Sequence, residues 1–165
     1  MVYVYHAFSL SLFKYLIPLF LLTVPFLYQK KLNIRFRSKD ILLGIAVSAV
    51  ILLPFWFLIT SGGTAFVFPP VSALLFQLIG VSFAEEFYFR GFLQDRLGNN
   101  IMGVVMISVL FSVMHAPQFI HHGDVYSLLT FFPSLVMGFL YMRTSNVLPS
   151  FIFHFFSNIV YSGIS

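Results

Sequence analysis

Six polar side chains interrupt the most apolar stretches of the chain. They are Glu85, Glu86, Arg90, His115, His154 and Asn158. A carboxylate and an imidazole together can hold a water molecule and remove its proton. A second imidazole and a carboxamide can donate hydrogen bonds to the oxyanion that forms when water attacks a carbonyl. These residue types therefore match a site that hydrolyses a peptide bond without a covalent nucleophile.

The spacing of these residues suits helices. Glu86 and Arg90 are four residues apart and can pair on one helix face, whereas Glu85 points about 100° away and stays free. His154 and Asn158 also share a face, because they too are four residues apart. A charged residue at the centre of a membrane helix costs ~2.5–3.5 kcal/mol on insertion scales. Charges kept in such helices indicate a functional site.

The composition predicts an integral membrane protein. The 165 residues are 59% hydrophobic and 8% charged, whereas soluble domains are about 25% charged. There is no cysteine, which excludes disulfides, a thiolate nucleophile and a thiolate metal site. The net charge of +4 comes largely from one short stretch. A nucleic-acid partner is not predicted, because it would need a broad basic surface.

About six membrane-spanning helices are predicted, because roughly 20 apolar residues cross a bilayer core. They cover approximately Phe8–Tyr28, Ile41–Ile59, Val71–Leu97, Ile101–His115, Tyr126–Met142 and Leu148–Ile164. The fourth helix is expected to end at Pro117. No soluble domain or internal repeat is present. We therefore predict one all-α polytopic membrane domain, residues 1–165, with the polar residues on the third, fourth and sixth helices.

The lysines and arginines predict the orientation in the membrane. The loop between the first two helices carries Lys30, Lys31, Arg35, Arg37 and Lys39. Short loops rich in these residues stay in the cytoplasm, so both termini are expected outside. The absence of cysteine and of N-x-S/T sequons is compatible with a bacterial cytoplasmic membrane.

Three short motifs lie on three separate apolar helices. They read EEFYFR at Glu85–Arg90, FSVMH at Phe111–His115 and HFFSN at His154–Asn158. In this order they resemble the EExxxR, FxxxH and HxxxN motifs of the CPBP (CAAX protease or Abi) family of intramembrane proteases. That family includes the type II CAAX prenyl endopeptidases. The motifs place a CAAX-protease-like helical core at about residues 71–165.

The resemblance implies a glutamic endopeptidase. Glu85 would be the general base on water, and His115 would help to position that water. His154 and Asn158 would form the oxyanion hole. The substrate would be a membrane-associated protein or peptide, cut near its C-terminus. Prenylated and unprenylated substrates both remain open.

The resemblance also implies that Glu86 and Arg90 form a supporting pair that shapes the site. Relatives often have about eight helices, whereas this chain has room for about six. The route by which a substrate enters is therefore open.

A metal site is an alternative, because a glutamate and two histidines can bind zinc. The HExxH motif is absent. Asn158 is a poor zinc ligand but a good oxyanion donor, so the metal-free route is favoured and no cofactor is predicted. His121, His122 and Asp124 could also hold a metal, but an exposed loop is the favoured interpretation of that segment.

Two other functions compete with proteolysis. Intramembrane glutamates and histidines also form the proton relays of transporters. A non-catalytic immunity or scaffold protein could retain the same fold. The three ordered motifs favour the enzyme, and the chain lacks the internal repeats of many transporters.

Overall fold

The computed structural model describes residues 13–28 and 33–164, and these residues form a helical bundle. We number the helices in chain order. They are α1 (Phe13–Tyr28), α2 (Ser38–Ser61), α3 (Val71–Leu97), α4 (Ile101–His122), α5 (Phe131–Thr144) and α6 (Val147–Gly163). A 3₁₀ turn, Val125–Thr130, leads into α5. An isolated antiparallel bridge joins Phe66 to Ile164, and the described residues contain no named strand.

The helices confirm the prediction of an all-α membrane protein. Four segments are long and apolar enough to cross a bilayer: Ser38–Ser61, Val71–Leu97, Ile101–Ile120 and Val125–Thr144. The described part of α1 has 16 residues and α6 has 17. A helix of 17 residues is about 25 Å long, near the shortest that crosses a bilayer core. Residues 8–12, where the first span was predicted to begin, lie outside the described residues.

The prediction that the fourth helix ends at Pro117 is wrong, because α4 continues to His122. A proline removes one backbone N–H donor, so a helix held by tertiary packing can pass through it. The helix ends at Gly123, whose φ of 67° is left-handed and whose N–H donates to the Phe119 carbonyl. The segment at residues 121 and 122 is therefore the last helical turn and not a loop.

Helix α3 lies at the centre of the bundle. It packs against α1, α4, α5 and α6. Its segment around Glu85 and Arg90 is buried, whereas most large apolar side chains of α2 are exposed on the outside of the bundle. The apolar core next to α3 contains Phe89, Ile107, Phe111, Met137, Leu140 and Phe153. Polar residues on the buried part of α3 therefore face other helices.

A buried asparagine fixes the start of α6. The Asn146 carboxamide donates to the Arg35 carbonyl at 2.7 Å and to Asp40 Oδ2 at 2.9 Å. Its oxygen accepts from the backbone N–H of Arg35 at 3.0 Å and of Leu148 at 3.3 Å. These four hydrogen bonds join the α5–α6 turn to the segment before α2. They set the position of α6, and so of His154, relative to the rest of the bundle.

Candidate active site

Helix α3 is irregular where it carries the two glutamates. A short α-helical segment, Ala84–Glu86, lies between two π-helical segments, Gln77–Phe83 and Phe87–Gln94. A π-helix has more residues per turn than an α-helix, is rare, and frequently lies at a functional site. Glu85 is 1% exposed and Glu86 is fully buried. The widened turns therefore place two adjacent carboxylates inside the bundle.

His154 of α6 lies between these two carboxylates. Its Nδ1 donates to Glu86 Oε1 at 3.0 Å, and its Nε2 lies 3.8 Å from Glu85 Oε2. Its side chain is 6% exposed. The Nδ1 hydrogen bond fixes the orientation of the ring, so Nε2 is the nitrogen that faces Glu85.

Glu86 also faces a buried guanidinium. Its Oε2 lies 3.4 Å from Arg90 Nε, and both side chains are fully buried. Arg90 Nη2 donates to the side-chain oxygen of Ser134 at 2.9 Å and to its carbonyl at 3.3 Å. A connected series of contacts thus runs from Ser134 on α5 through Arg90 and Glu86 to His154 on α6.

Glu85 differs from its neighbour. Among the residues that the structure describes, neither of its carboxylate oxygens has a hydrogen-bond partner. The 3.8 Å between Oε2 and His154 Nε2 is too long for a direct hydrogen bond. A water molecule between two such groups would satisfy both. The carboxylate and the imidazole are therefore placed to share one.

Phe111 brings His115 to the same cluster. The two rings lie 4.7 Å apart between centroids. The Phe111 ring also lies near the Phe89 ring at 5.1 Å, the Arg90 guanidinium at 5.1 Å and His154 at 5.7 Å. His115 Nδ1 donates to the Phe111 carbonyl at 2.8 Å, which leaves Nε2 with a lone pair in the neutral ring. Within the described residues, no hydrogen bond or ion pair joins His115 directly to Glu85 or His154.

Asn158 lies one helical turn after His154 and faces α3. Its amide nitrogen donates to Gln77 Oε1 at 3.2 Å and to the Ser82 hydroxyl oxygen at 3.3 Å. Both partners belong to the first π-helical segment. Residues of α3 therefore hold both polar side chains of the α6 motif.

Sequence reasoning missed three of these partners. Ser134, Gln77 and Ser82 lie outside the motif positions. A serine inside a helix commonly donates to a backbone carbonyl of its own helix. Ser108 does so with the Val104 carbonyl at 2.8 Å, whereas Ser112 donates to the Leu128 carbonyl in the 3₁₀ turn, also at 2.8 Å. A polar residue in an apolar helix was the available signal, but the sequence does not identify its partner.

The possible metal-binding side chains of the described residues do not form a metal centre. Among the described residues, no group of three His, Cys, Asp or Glu side chains is arranged to hold a metal ion. The histidine side chains at positions 121 and 122 are outside the described set, so the alternative of a metal site there stays untested.

Comparison with known proteins supports one family. A family model described as "Type II CAAX prenyl endopeptidase Rce1-like" matches residues 67–160, more than half of the chain, and all three motifs lie within the match. Neither the curated proteins nor the solved structures gave a match. The resemblance drawn from the three motifs is thereby confirmed. The chain belongs to the Rce1-like family of type II CAAX prenyl endopeptidases, and is a membrane protease of the CAAX type.

Proposed function

We propose that this protein is a glutamic intramembrane endopeptidase that cuts a membrane-associated protein or peptide near its C-terminus. One observation carries the proposal. Glu85 is buried, its carboxylate oxygens have no hydrogen-bond partner among the described residues, and one of them lies 3.8 Å from an oriented imidazole. An unpaired carboxylate inside a membrane bundle is costly and is retained for function.

The proposed reaction begins when Glu85 takes a proton from the water held beside His154. The resulting hydroxide attacks the carbonyl carbon of the scissile peptide bond, and the carbonyl π electrons move to the oxygen. When this tetrahedral intermediate collapses, the C–N bond breaks. The leaving nitrogen receives the proton from Glu85, which restores the free carboxylate. The products are a carboxylic acid and an amine, so one water is consumed.

Three further residues complete the proposed machinery. The donors proposed for the oxyanion are the Asn158 amide and His154 Nε2, one turn apart on α6, with His154 acting as an imidazolium whose Nδ1–H stays on Glu86. His115, with the lone pair of Nε2, is proposed to help position the water. Removing a single oxyanion-hole donor costs about 2.7–4 kcal/mol of transition-state stabilisation in a serine protease.

The pair formed by Glu86 and Arg90 has a proposed supporting role. Glu86 accepts from His154 Nδ1 and faces Arg90. The carboxylate thereby holds the imidazole in the orientation that directs Nε2 to Glu85. We place the enzyme in a bacterial cytoplasmic membrane, with residues 71–165 as the catalytic core and no metal in the reaction.

A peptide assay in proteoliposomes tests the proposal. The probes are an internally quenched peptide that ends in a farnesylated cysteine followed by three residues, and the same peptide without the prenyl group. Wild-type protein should cleave at least one of them. Glu85→Gln should keep the thermal midpoint of the wild type and lose nearly all turnover. Asp124→Asn, which neutralises a carboxylate outside the site, should cleave at the wild-type rate.

The wild type and Glu85→Gln should also differ in the membrane proteins that they cleave in cells. Mass spectrometry of membrane fractions should find new C-termini in cells with the wild type and not in cells with Glu85→Gln. Turnover by Glu85→Gln at the rate of Asp124→Asn would refute the assignment of the base.

A further inference from the structure

Gln77 is a polar residue of α3 that the catalytic proposal does not use. It is the first residue of the π-helical segment that ends just before Ala84. Its side-chain carbonyl oxygen accepts a hydrogen bond from the amide nitrogen of Asn158 at 3.2 Å. Asn158 is a proposed oxyanion donor, so any other acceptor on its amide nitrogen competes with the substrate.

The hydrogens of Asn158 can be counted. A carboxamide nitrogen carries two hydrogens. In this structure the nitrogen has two acceptors, Gln77 Oε1 at 3.2 Å and the Ser82 hydroxyl oxygen at 3.3 Å, which is one for each hydrogen. The scissile carbonyl oxygen of a substrate can therefore gain a hydrogen bond from Asn158 only when one of these acceptors leaves.

The two acceptors differ in their freedom to move. Ser82 is fully buried, and its hydroxyl is one carbon from the backbone of α3. It cannot withdraw unless the helix moves. Gln77 is half-buried, and three side-chain bonds separate its carboxamide group from the backbone. Gln77 is therefore the acceptor that a substrate can displace.

The Gln77 side chain also resembles the substrate group that would replace it. Gln77 Oε1 is the carbonyl oxygen of an amide, and so is the oxygen of a scissile peptide bond. We propose that Gln77 occupies the carbonyl position of the oxyanion subsite in the free enzyme and exchanges with the substrate carbonyl. Gln77 is then a positioning residue that sets substrate affinity through Asn158. This inference rests on the proposed function.

Kinetics on Gln77 variants test the exchange. Gln77→Met keeps the length of the side chain and removes the competing acceptor. Its KM for the cleaved quenched peptide should fall about 2- to 10-fold, the size of one net hydrogen bond. Its kcat should stay within about twofold, because Gln77 has already left Asn158 in the substrate complex. Gln77→Glu offers a stronger, charged acceptor and should raise KM.

Two controls test whether the change in KM is specific to Gln77 and to the scissile carbonyl. Gln94→Met changes another glutamine of α3, whose amide nitrogen donates to Asn99 and to the Gly138 carbonyl, and should leave KM unchanged. A peptide whose scissile carbonyl is reduced to methylene cannot accept from Asn158. Its inhibition constant should therefore be the same for the wild type and for Gln77→Met.

The outcomes separate the possible failures. If Gln77 only holds Asn158 in place, Gln77→Met will lower kcat without lowering KM, and the inference is overturned. An unchanged KM in Gln77→Met also overturns it, while cleavage that depends on Glu85 leaves the proposed function intact. If the wild type and Glu85→Gln behave alike on both peptides, the proposed function fails, and this inference fails with it.

Discussion

Replacing Arg90 with methionine tests the buried ion pair that supports His154. The guanidinium lies 3.4 Å from Glu86 Oε2, and neither side chain is exposed. Methionine has a similar length but no charge, so Arg90→Met leaves the Glu86 carboxylate buried without this cation. It also removes the donor to the Ser134 hydroxyl and carbonyl. We expect the variant to fold less stably and to orient His154 less well.

The size of the expected loss in stability follows from the burial of both Glu86 and Arg90. Removing one partner of a buried ion pair costs about 3–5 kcal/mol, because the remaining charge is uncompensated. For a chain of this length, 1 kcal/mol changes the thermal midpoint by roughly 2–4 °C, so Arg90→Met should lose about 6–20 °C. Adding Glu86→Gln removes the remaining charge. Replacing both partners of a buried pair by uncharged groups is often nearly neutral, so the double variant should recover most of this loss.

The measurement is the temperature at which half of the detergent-solubilised protein remains soluble. Arg143→Met is the matched control, because Arg143 is exposed at the end of α5 and its replacement should change stability by about 0.5 kcal/mol or less. If Arg90→Met unfolds at the temperature of Arg143→Met, the Arg90 guanidinium does not stabilise the buried Glu86 carboxylate. A double variant less stable than Arg90→Met would refute the charge argument.

Three further predictions can be checked with the same thermal and cleavage assays. Gly44→Ala should cost about 1–3 kcal/mol, because its new Cβ would lie 2.9 Å from Pro149 Cα where α2 meets α6. Ala46→Leu on the exposed face of α2 should not change the thermal midpoint. If Gly44→Ala and Ala46→Leu lower the midpoint equally, the close approach at Pro149 is not the cause. Asn146→Ala should cost about 2–6 kcal/mol, because it removes four hydrogen bonds, including the one to Asp40. Peptide cleavage should survive dialysis against 1,10-phenanthroline, because the proposed reaction uses no metal, and inactivation that zinc reverses would contradict it.

Hydropathy and short-range spacing were enough to predict the helices and the four-residue pairings. Apolar length marked the spans, and a spacing of four residues placed Glu86 near Arg90 and His154 near Asn158. These inferences are local, because each depends on residues within one or two helical turns. The continuation of α4 past Pro117 was not predictable in this way. A proline disfavours a helix locally, and packing around α4 overrides that preference.

The contacts between helices could not be predicted from one sequence. Ser134 is 44 residues from Arg90, and Gln77 is 81 residues from Asn158. Hydropathy indicates that these residues lie in apolar helices but not which faces meet. The π-helical turns are also hidden, because a run of residues such as Gln77–Phe83 contains no local signal for a wider helix.

The two adjacent glutamates show how the fold separates chemically identical side chains. The Glu86 carboxylate has two polar partners: it accepts from His154 Nδ1 at 3.0 Å and lies 3.4 Å from Arg90 Nε. Glu85, one residue earlier, has no hydrogen-bond partner among the described residues and faces only the second nitrogen of the same imidazole at 3.8 Å. A carboxylate that is tied by an imidazole and a guanidinium is suited to orient a neighbour. A carboxylate without such ties is suited to accept a proton from water. Because one imidazole faces both, we expect a change at Glu86 to affect the proposed reaction through His154.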